Sequence, residues 1–382
     1  MSSPGPTSLN QRRRLLKRLF AFAMSILCLT LVISCHPGNK AEMKPTKQPA
    51  LGMQQRFGDE IMVAGKLYRT GTPVVLFSDP GGYDAYRVER RFVPFEESGW
   101  EPTTRAMADK KVDWVSSNQE YAPARYNLRY NRAATQKYAP DQLDQIRGGG
   151  WSLPQLQAVV DQFVIHFDVC PTSQICFKVL HDMRGLSIHF MLDVDGTIYQ
   201  TLDLKERAWH ATRSNDRSIG IEIANMGAYS TSQSIAPLER YYSKDANGKT
   251  VLNLSPELRK YVRDSTGVFS PIRNDLVIGQ IQGQTFRQYD FTPQQYASIA
   301  KLTAALSDIF PEIKLDYPRD ADGKLVTKML STEDWKNFKG VLGHFHVQDD
   351  KNDPGPAFQW DKVIDAARAQ LKINRAAQLK SN

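Results

Sequence analysis

Histidines and carboxylates are the side chains of this sequence that could carry metal chemistry. After His36 there are six histidines, at positions 166, 181, 189, 210, 344 and 346. A catalytic zinc ion needs three protein ligands and one open position, and two histidines with a carboxylate are a common set. His166 ends the apolar run FVIH, and His344 lies nine positions before Asp353, so these three residues could form that set. Spacing alone does not single them out, because a histidine on a strand is more often a hydrogen-bonded core residue.

Glu222 is a candidate acid–base group because of the segment in which it lies. The run SIGIEIA, residues 218–224, is typical of an apolar strand. Alternation along a strand places the isoleucines on the core face and the remaining residues, Ser218, Gly220, Glu222 and Ala224, on the other face. Glu222 is then the only acid on a face of small residues, where a carboxylate could move protons.

The elements that must position these residues alternate between strands and helices. Ser152 is expected to cap a short helix containing Pro154, and a buried strand comes next at 163–166. Residues 186–192 and 197–202 flank a turn and predict a hairpin. Thr292-Pro293 opens an amphipathic helix through 310, and another helix begins after Pro356. This order predicts an α/β fold with a central sheet.

Two regions lie outside that pattern. Residues 57–150 contain strand signals in EIMVAGKLY, PVVLF and YRVERRFVPF and a turn at 79–82, but no catalytic constellation. They predict a β-rich extension that packs on the domain C-terminal to it. Residues 227–290 are polar and weakly patterned, apart from a short helix near PELRKYVRD, and we interpret them as an insertion. Because this insertion begins just after the strand that carries Glu222, we expect it to form one side of the site.

The N-terminus has the pattern of an export signal with a lipid attachment site. A basic segment at 12–18 precedes an apolar run at 19–33, which is short for a bilayer-spanning helix but typical of a signal peptide. Ser34-Cys35 at its end resembles the lipobox of bacterial lipoproteins, so we expect a signal peptide at 1–35 and a lipid on Cys35. A plain anchor helix with an incidental cysteine is the alternative, and both place the body outside the cytoplasm. The Pro-rich segment 36–56 predicts a tether, and His36 after the cysteine favours the outer membrane.

Cys170 and Cys176 are the cysteines left once Cys28 leaves with the signal and Cys35 is acylated. In an oxidising compartment, a close pair predicts a disulfide. A metal-binding pair is the alternative, but five intervening residues differ from the two of a zinc knuckle.

Composition and charge narrow the class of protein. The chain has 382 residues, 41% hydrophobic and 24% charged, which excludes a mostly disordered chain. Its net charge is +8, and the first 35 residues hold five basic residues and no acid, so the remainder carries +3. Such a nearly neutral body does not predict binding to nucleic acid.

Five ordered segments carry a family resemblance, and together they span about 160–365: FVIHFD, SIHFMLDVDGTIYQTLDLKERAWHA, NDRSIGIEIAN, FTPQQYASIAKL and GHFHVQDDKNDPGPAFQW. They resemble the zinc-dependent N-acetylmuramoyl-L-alanine amidases of the type-2 class, whose fold is shared with peptidoglycan recognition proteins and amidase-type phage lysozymes. The resemblance implies a central mixed β-sheet flanked by helices, in a zinc amidase domain at 151–372 with its insertion at 227–290. CPTSQIC also resembles the disulfide of the recognition proteins.

The resemblance also implies a role for each matching residue. It makes His166, His344 and Asp353 the zinc ligands, Glu222 the acid–base carboxylate and Lys351 the group that stabilises the oxyanion. It also makes three residues part of the substrate groove or its support: His189, His210 and Asn215. The sequence departs from the family in having Phe167 after the first ligand, and His346 where aspartate is usual. His346 could therefore orient a ligand or compete as one.

The implied function is zinc-dependent hydrolysis of the amide between N-acetylmuramic acid and L-alanine, in peptidoglycan or muropeptides, by an enzyme anchored in the cell envelope. Two alternatives stay open: a non-catalytic peptidoglycan-binding module, and a zinc hydrolase of another amide of the stem peptide. Loss of a zinc ligand would favour the binding module, but all three matching ligands are present.

Overall fold

The computed structural model describes residues 56–85, 126–128, 152–184 and 186–381. The expected signal peptide, its Cys35, nearly all of the tether and the strand expected in YRVERRFVPF lie outside these residues. In the part of the chain that is described, no helix is both long and apolar enough to cross a membrane.

The described strands are short. In chain order they are β1 (Glu60–Val63), β2 (Lys66–Arg69), β3 (Val74–Leu76), β4 (Tyr126–Leu128), β5 (Gln162–Phe167), β6 (Phe190–Leu192), β7 (Ile198–Gln200), β8 (Glu206–Ala208), β9 (Ser218–Ile223), β10 (Tyr229–Ser230), β11 (Tyr242–Lys244), β12 (Thr250–Leu252), β13 (Val277–Ile281), β14 (Gln284–Gln288) and β15 (Gly340–Gly343).

Most of the helices are also short, and two are long. They are α1 (Leu153–Gln157), α2 (Ser173–Phe177), α3 (Ala236–Tyr241), α4 (Pro256–Arg259), α5 (Pro293–Ile309), α6 (Thr332–Asn337), α7 (His344–Val347) and α8 (Trp360–Ser381). A π-helical segment, Lys178–Met183, continues α2, and a 3-10 turn spans Thr212–Ser214.

Six of the strands form one mixed sheet in the order β15-β5-β9-β6-β7-β3. Strands β15, β5, β9 and β6 run parallel, β7 is antiparallel to β6, and β3 is parallel to β7. The predicted α/β fold with a mixed sheet is therefore confirmed. The β-rich extension is also confirmed in its described part, since β1 and β2 form a hairpin and β3 extends the sheet.

The two faces of the sheet differ as the alternation in SIGIEIA predicts. Ile219, Ile221 and Ile223 lie in the main hydrophobic core with residues of β5 and of the long helices α5 and α8. Helix α5 begins where predicted: Thr292 Oγ1 accepts a hydrogen bond from the Gln295 backbone N–H at 3.1 Å, and Gln295 Oε1 accepts one from Thr292 N–H at 2.9 Å. The opposite face of β9 carries Ser218, Gly220 and Glu222.

The expected insertion is more ordered than its sequence pattern indicates. Between β9 and α5 the chain forms β10 to β14 and the helices α3 and α4. These elements pack around a second hydrophobic core, which includes Tyr229, Leu238 and Phe269 and also Val194 and Ala224 from outside the insertion. Strand β14 lies between β10 and β13 in a three-stranded antiparallel sheet.

Register brings the predicted site residues to one edge of the main sheet. His166 in β5 lies opposite Glu222 in β9, and Gly343 at the end of β15 lies opposite Ile165. The carboxyl ends of these three parallel strands therefore meet at the same edge, where α/β folds place their ligand sites.

Candidate metal centre and active site

The three predicted ligands form a compact cluster. His166 is the fifth residue of β5, His344 begins α7 directly after β15, and Asp353 lies in the loop between α7 and α8. One ligand atom from each lies within 4.8 Å of the others, and within the described ranges this is the only such group of histidine, cysteine and acidic residues. Asp353 Oδ2 is 2.8 Å from His166 Nδ1 and 3.1 Å from His344 Nδ1. All three side chains are buried.

The protonation of this cluster suits a metal ion. Burial, with a contribution from His344, lowers the pKa of His166 to about 4, so its imidazole is neutral at pH 7. Burial alone would raise the pKa of Asp353, but the charges and hydrogen bonds of His344 and His166 outweigh it and hold that pKa below its usual range. Neutral imidazole and ionised carboxylate are the forms that bind metals. A set of two histidines and one carboxylate fits zinc.

Gln348 supports the second of these ligands, and it was not predicted from the sequence. Its Oε1 atom is 2.7 Å from His344 Nε2. The two residues are four apart in sequence, a spacing that brings side chains together on a helical turn. A glutamine four residues after a candidate ligand was therefore a signal that could have been used.

His346, considered as a competing ligand, is engaged elsewhere. Its Nδ1 accepts a hydrogen bond from the Gly343 backbone N–H at 2.9 Å, and its Nε2 lies 2.7 Å from the Val326 carbonyl oxygen. Burial lowers the pKa of His346 to about 3, so the ring is neutral. With both ring nitrogens held by backbone groups, His346 fixes the turn from which His344 projects.

Glu222 lies beside the cluster and is poised to exchange a proton. It is 8% exposed, and within the described structure its Oε2 atom has no hydrogen-bond partner. Burial and the negative charges of Asp353 and Asp168 raise the pKa of Glu222 well above its usual value. A buried carboxyl with a raised pKa next to a metal site is suited to general acid–base catalysis.

Lys351 supplies a positive charge to the same site. It is half-buried in the loop between α7 and α8, and its backbone N–H donates to the Gln348 carbonyl at 3.4 Å. Its charge acts against the rise in the pKa of Glu222 and adds to the fall in the pKa of His166. The charge of Lys351 therefore acts on both the predicted acid–base residue, Glu222, and the predicted ligand His166.

His210 contacts the cluster directly, whereas Asn215 shapes the turn that holds it. His210 Nδ1 is 2.9 Å from His166 Nε2, and His210 Nε2 is 3.1 Å from Ser218 Oγ. Asn215 Oδ1 accepts hydrogen bonds from the backbone N–H groups of His210 and Ala211, at 3.0 and 2.6 Å. Their contact with substrate stays a prediction.

His189 is fully buried between strands. Its Nδ1 accepts from the Gly220 backbone N–H at 3.1 Å, and its Nε2 is 3.0 Å from the Glu206 carbonyl oxygen. Its ring therefore ties β9 to β8, and this tie holds β9 in place beneath His210.

Gly220 is a second site residue that was not predicted from the sequence. A Cβ atom at this position would lie 2.5 Å from His210 Cε1 and Nδ1 and 2.6 Å from Ile188 Cδ1. Only glycine lets the His210 ring pack on β9 two residues before Glu222. The signal was present in the sequence, because Gly220 shares the small-residue face with Glu222.

We expect Gly220→Ala to lower kcat/KM by about 10²-fold, because displacing a ring that contacts a ligand by about 1 Å misplaces the reacting groups. Steady-state kinetics on a defined muropeptide would measure the effect, with the thermal unfolding midpoint as a check on folding. A folded variant with the kinetics of the natural chain would contradict this role for Gly220.

The predicted disulfide is not formed, which corrects that expectation. Cys170 and Cys176 are both buried and are not covalently linked. The Cys176 side chain hydrogen-bonds to Cys170, and burial raises the pKa of the Cys176 thiol. Burial therefore favours the neutral thiol over the thiolate, which is the form that reacts.

His181 lies away from the ligand cluster. Its Nε2 is 2.8 Å from the Ala85 carbonyl oxygen, and its ring stacks on Phe177 with the ring centroids 5.0 Å apart. These contacts attach the described end of the N-terminal extension to the π-helical segment after α2.

Comparison with known proteins gives one family match. A family model described as N-acetylmuramoyl-L-alanine amidase matches residues 156–356, which is more than half of the chain and includes His166, Glu222, His344 and Asp353. A search of curated proteins found no match.

Solved structures of amidases are also similar, at low identity. A selenomethionine derivative of AmpD is 18% identical, with 64% of this chain and 90% of that chain covered and a TM-score of 0.28. The amidase AmiD from E. coli, solved with anhydro-N-acetylmuramic acid-L-Ala-D-gamma-Glu-L-Lys, is 19% identical, with coverages of 54% and 57% and a TM-score of 0.29. AmpDh3 from Pseudomonas aeruginosa, solved with anhydromuramic pentapeptide, is 17% identical, with coverages of 54% and 59% and a TM-score of 0.29. The match thus spans less than two thirds of the AmiD and AmpDh3 chains.

Proposed function

The chain belongs to the N-acetylmuramoyl-L-alanine amidase family and is an amide hydrolase of peptidoglycan; on this premise we propose that its activity depends on zinc and is directed to the bond between the lactyl group of N-acetylmuramic acid and L-alanine. The observation that carries the proposal is the buried cluster of His166, His344 and Asp353 with Glu222, whose pKa is raised by burial, beside it.

The three clustered residues would hold the zinc ion. When bound there, zinc supplies a Lewis acid that makes water more acidic and polarises the carbonyl of the scissile amide. An amide needs this help, because it is a weak electrophile with a poor leaving group.

Glu222 is assigned the proton transfers. Its carboxylate takes a proton from the attacking water, and the carboxyl then delivers that proton to the nitrogen of the departing amine. The buried Oε2 atom, which has no partner among the described residues, is free to make this contact. Burial also favours the protonated form that the second transfer needs, since it raises the pKa of Glu222.

Lys351 and His210 are assigned supporting roles. The positive charge of Lys351 opposes the negative charge that develops on the carbonyl oxygen, and such a charge acts more strongly at a site from which water is excluded. His210 Nδ1 lies 2.9 Å from His166 Nε2, and this contact restrains the orientation of the His166 ring. A partner on the second nitrogen of a histidine ligand is a usual feature of zinc sites.

Product analysis on purified peptidoglycan tests the bond that is cut. A soluble form with residues 36–382 is expected to release stem peptides that begin at L-alanine, with no new reducing sugar ends. Peptides that begin at another residue would assign the activity to a different amide of the stem peptide. Retention on peptidoglycan without release of any peptide would identify a binding module and contradict the proposal.

We further propose that the enzyme is attached to the outer membrane through a lipid on Cys35, facing the peptidoglycan layer. The proposal is supported by the basic segment, apolar run and Ser34-Cys35 of the N-terminus. The natural chain is expected to incorporate labelled palmitate in cells, and Cys35→Ser to incorporate none. Cys28→Ser, which alters the other cysteine of the signal segment, is the matched control and should remain labelled. Labelling that survives in Cys35→Ser would contradict the lipid site.

A further inference from the structure

The hairpin of β13 and β14 belongs to the insertion, yet it reaches the segments that carry two metal ligands. Its two-residue turn, Gln282-Gly283, has positive φ at both positions, 52° and 71°. The hairpin places Gln282 before β14 and Gln288 at its end, and we refer to these two residues as the glutamine brace. Each of them hydrogen-bonds to backbone groups next to a ligand.

Gln282 holds the helical turn that begins with His344. Its Nε2 donates to the carbonyl oxygens of Phe345 at 2.8 Å and Gln348 at 3.0 Å. Its Oε1 accepts from the Met329 backbone N–H at 3.1 Å, so both the nitrogen and the oxygen of the side-chain amide are engaged. Because the side chain of the same Gln348 contacts His344 Nε2, Gln282 fixes the backbone from which that contact is made.

Gln288 holds the chain directly after Asp353. It is fully buried, and its Nε2 donates to the Pro354 carbonyl oxygen at 3.0 Å and to Asn225 Oδ1 at 3.3 Å. Its Oε1 accepts from the Ala357 backbone N–H at 2.9 Å. Asn225 lies just after β9, so Gln288 joins the end of the Glu222 strand to the loop of the third ligand.

Two glycines permit this close packing. A Cβ atom on Gly355 would collide with the Gln288 side chain, and Gly355 also has a φ of +84°. A Cβ atom on Gly279, in β13, would lie 2.7 Å from Pro356 Cβ. The hairpin therefore lies directly against the loop of Asp353 and does not merely border a groove.

We propose that Gln282 and Gln288 are positioning residues of the metal centre, through which the insertion sets the affinity for zinc. The proposal rests on the zinc dependence proposed above. It assigns the insertion a role in metal binding. This role is additional to forming one side of the site, which its position after β9 suggests. Contacts that orient metal ligands change metal affinity by about 10- to 100-fold.

The test replaces each brace residue by methionine, which has a similar volume but cannot make these hydrogen bonds. Gln280→Met and Gln284→Met are the matched controls, because both residues are exposed on the same hairpin. Competition with a chelator of known affinity would give the zinc Kd of each full-length variant, and thermal unfolding without metal would report on folding alone. We expect Gln282→Met and Gln288→Met to raise the zinc Kd by about 10-fold or more, with both controls unchanged.

The outcomes separate positioning from general stabilisation. The proposal would be overturned if both brace variants had a lower unfolding midpoint without metal but the same zinc Kd as the natural chain. Gln288 is fully buried, so Gln288→Met could fail to fold. In that case the zinc Kd of Gln282→Met alone tests the proposal, because Gln282 is half-buried at the hairpin tip. Failure of the natural chain to bind zinc would instead contradict the proposed function, and the brace with it.

Discussion

Glu222→Gln is expected to lower kcat by about 10²- to 10⁴-fold, the usual contribution of a positioned general acid–base group. Glutamine keeps the size of the side chain but can neither take a proton from water nor return one to the departing amine. Because Glu222 is not in the ligand cluster, the zinc Kd should stay at the natural value. Single-turnover kinetics with the variant loaded with zinc would measure the loss.

Glu239→Gln is a suitable control for this experiment, because Glu239 is an exposed acid on α3, outside the ligand cluster. It should behave like the natural chain. A Glu222→Gln variant that binds zinc and keeps its kcat within about three-fold would remove Glu222 from the mechanism, since such an effect falls far below that of proton transfer.

Asp353→Ala is expected to abolish both activity and tight zinc binding. Asp353 Oδ2 is the one atom to which both histidines of the cluster hydrogen-bond, at 2.8 and 3.1 Å. Removing it leaves two histidines in a buried site without the carboxylate that completes the donor set. We expect the zinc Kd to rise by at least about 10²-fold, because ligand bonds supply most of the free energy of such sites.

Asp349→Asn is the matched control for this variant, since Asp349 is an exposed acid of the same loop. It should bind zinc with the natural affinity. The two predictions differ in a useful way: Glu222→Gln loses activity with zinc bound, whereas Asp353→Ala loses activity together with zinc. Retention of zinc in a folded Asp353→Ala chain would show that the ion is held by other residues.

The alternation of SIGIEIA was sufficient to predict the faces of β9. It placed Ile219, Ile221 and Ile223 in the core and Glu222 on the other side, and both placements are confirmed. A period of two is a local property of the chain, so a single sequence carries it. The start of α5 at Thr292-Pro293 was also predictable, because a helix cap is likewise a local feature of the sequence.

The meeting of His166, His344 and Asp353 could not be predicted from spacing. It depends on the parallel pairing of β15 with β5 across almost 180 residues, and such pairing leaves no local pattern. Here the family resemblance supplied the grouping. The roles of His189 and His346 depend on burial and backbone partners, which the type of residue does not reveal.

The order within the insertion was also not predictable. Its strands are two to five residues long, too short for a clear periodic signal. In β13, the exposed Ile278 and the half-buried Gly279 obscure the alternation further. The glutamine brace therefore became visible only when the hairpin and the ligand loop were seen in contact.

The most direct test of the central claim is the rate of peptide release as a function of the zinc bound per chain. Protein stripped with a chelator would be titrated with zinc, and the release of peptides beginning at L-alanine from peptidoglycan would be monitored by mass. We expect no release without metal and a linear rise that ends at one zinc ion per chain, as a single site of three ligands requires. Full release by the stripped protein, with no zinc detected, would contradict the account.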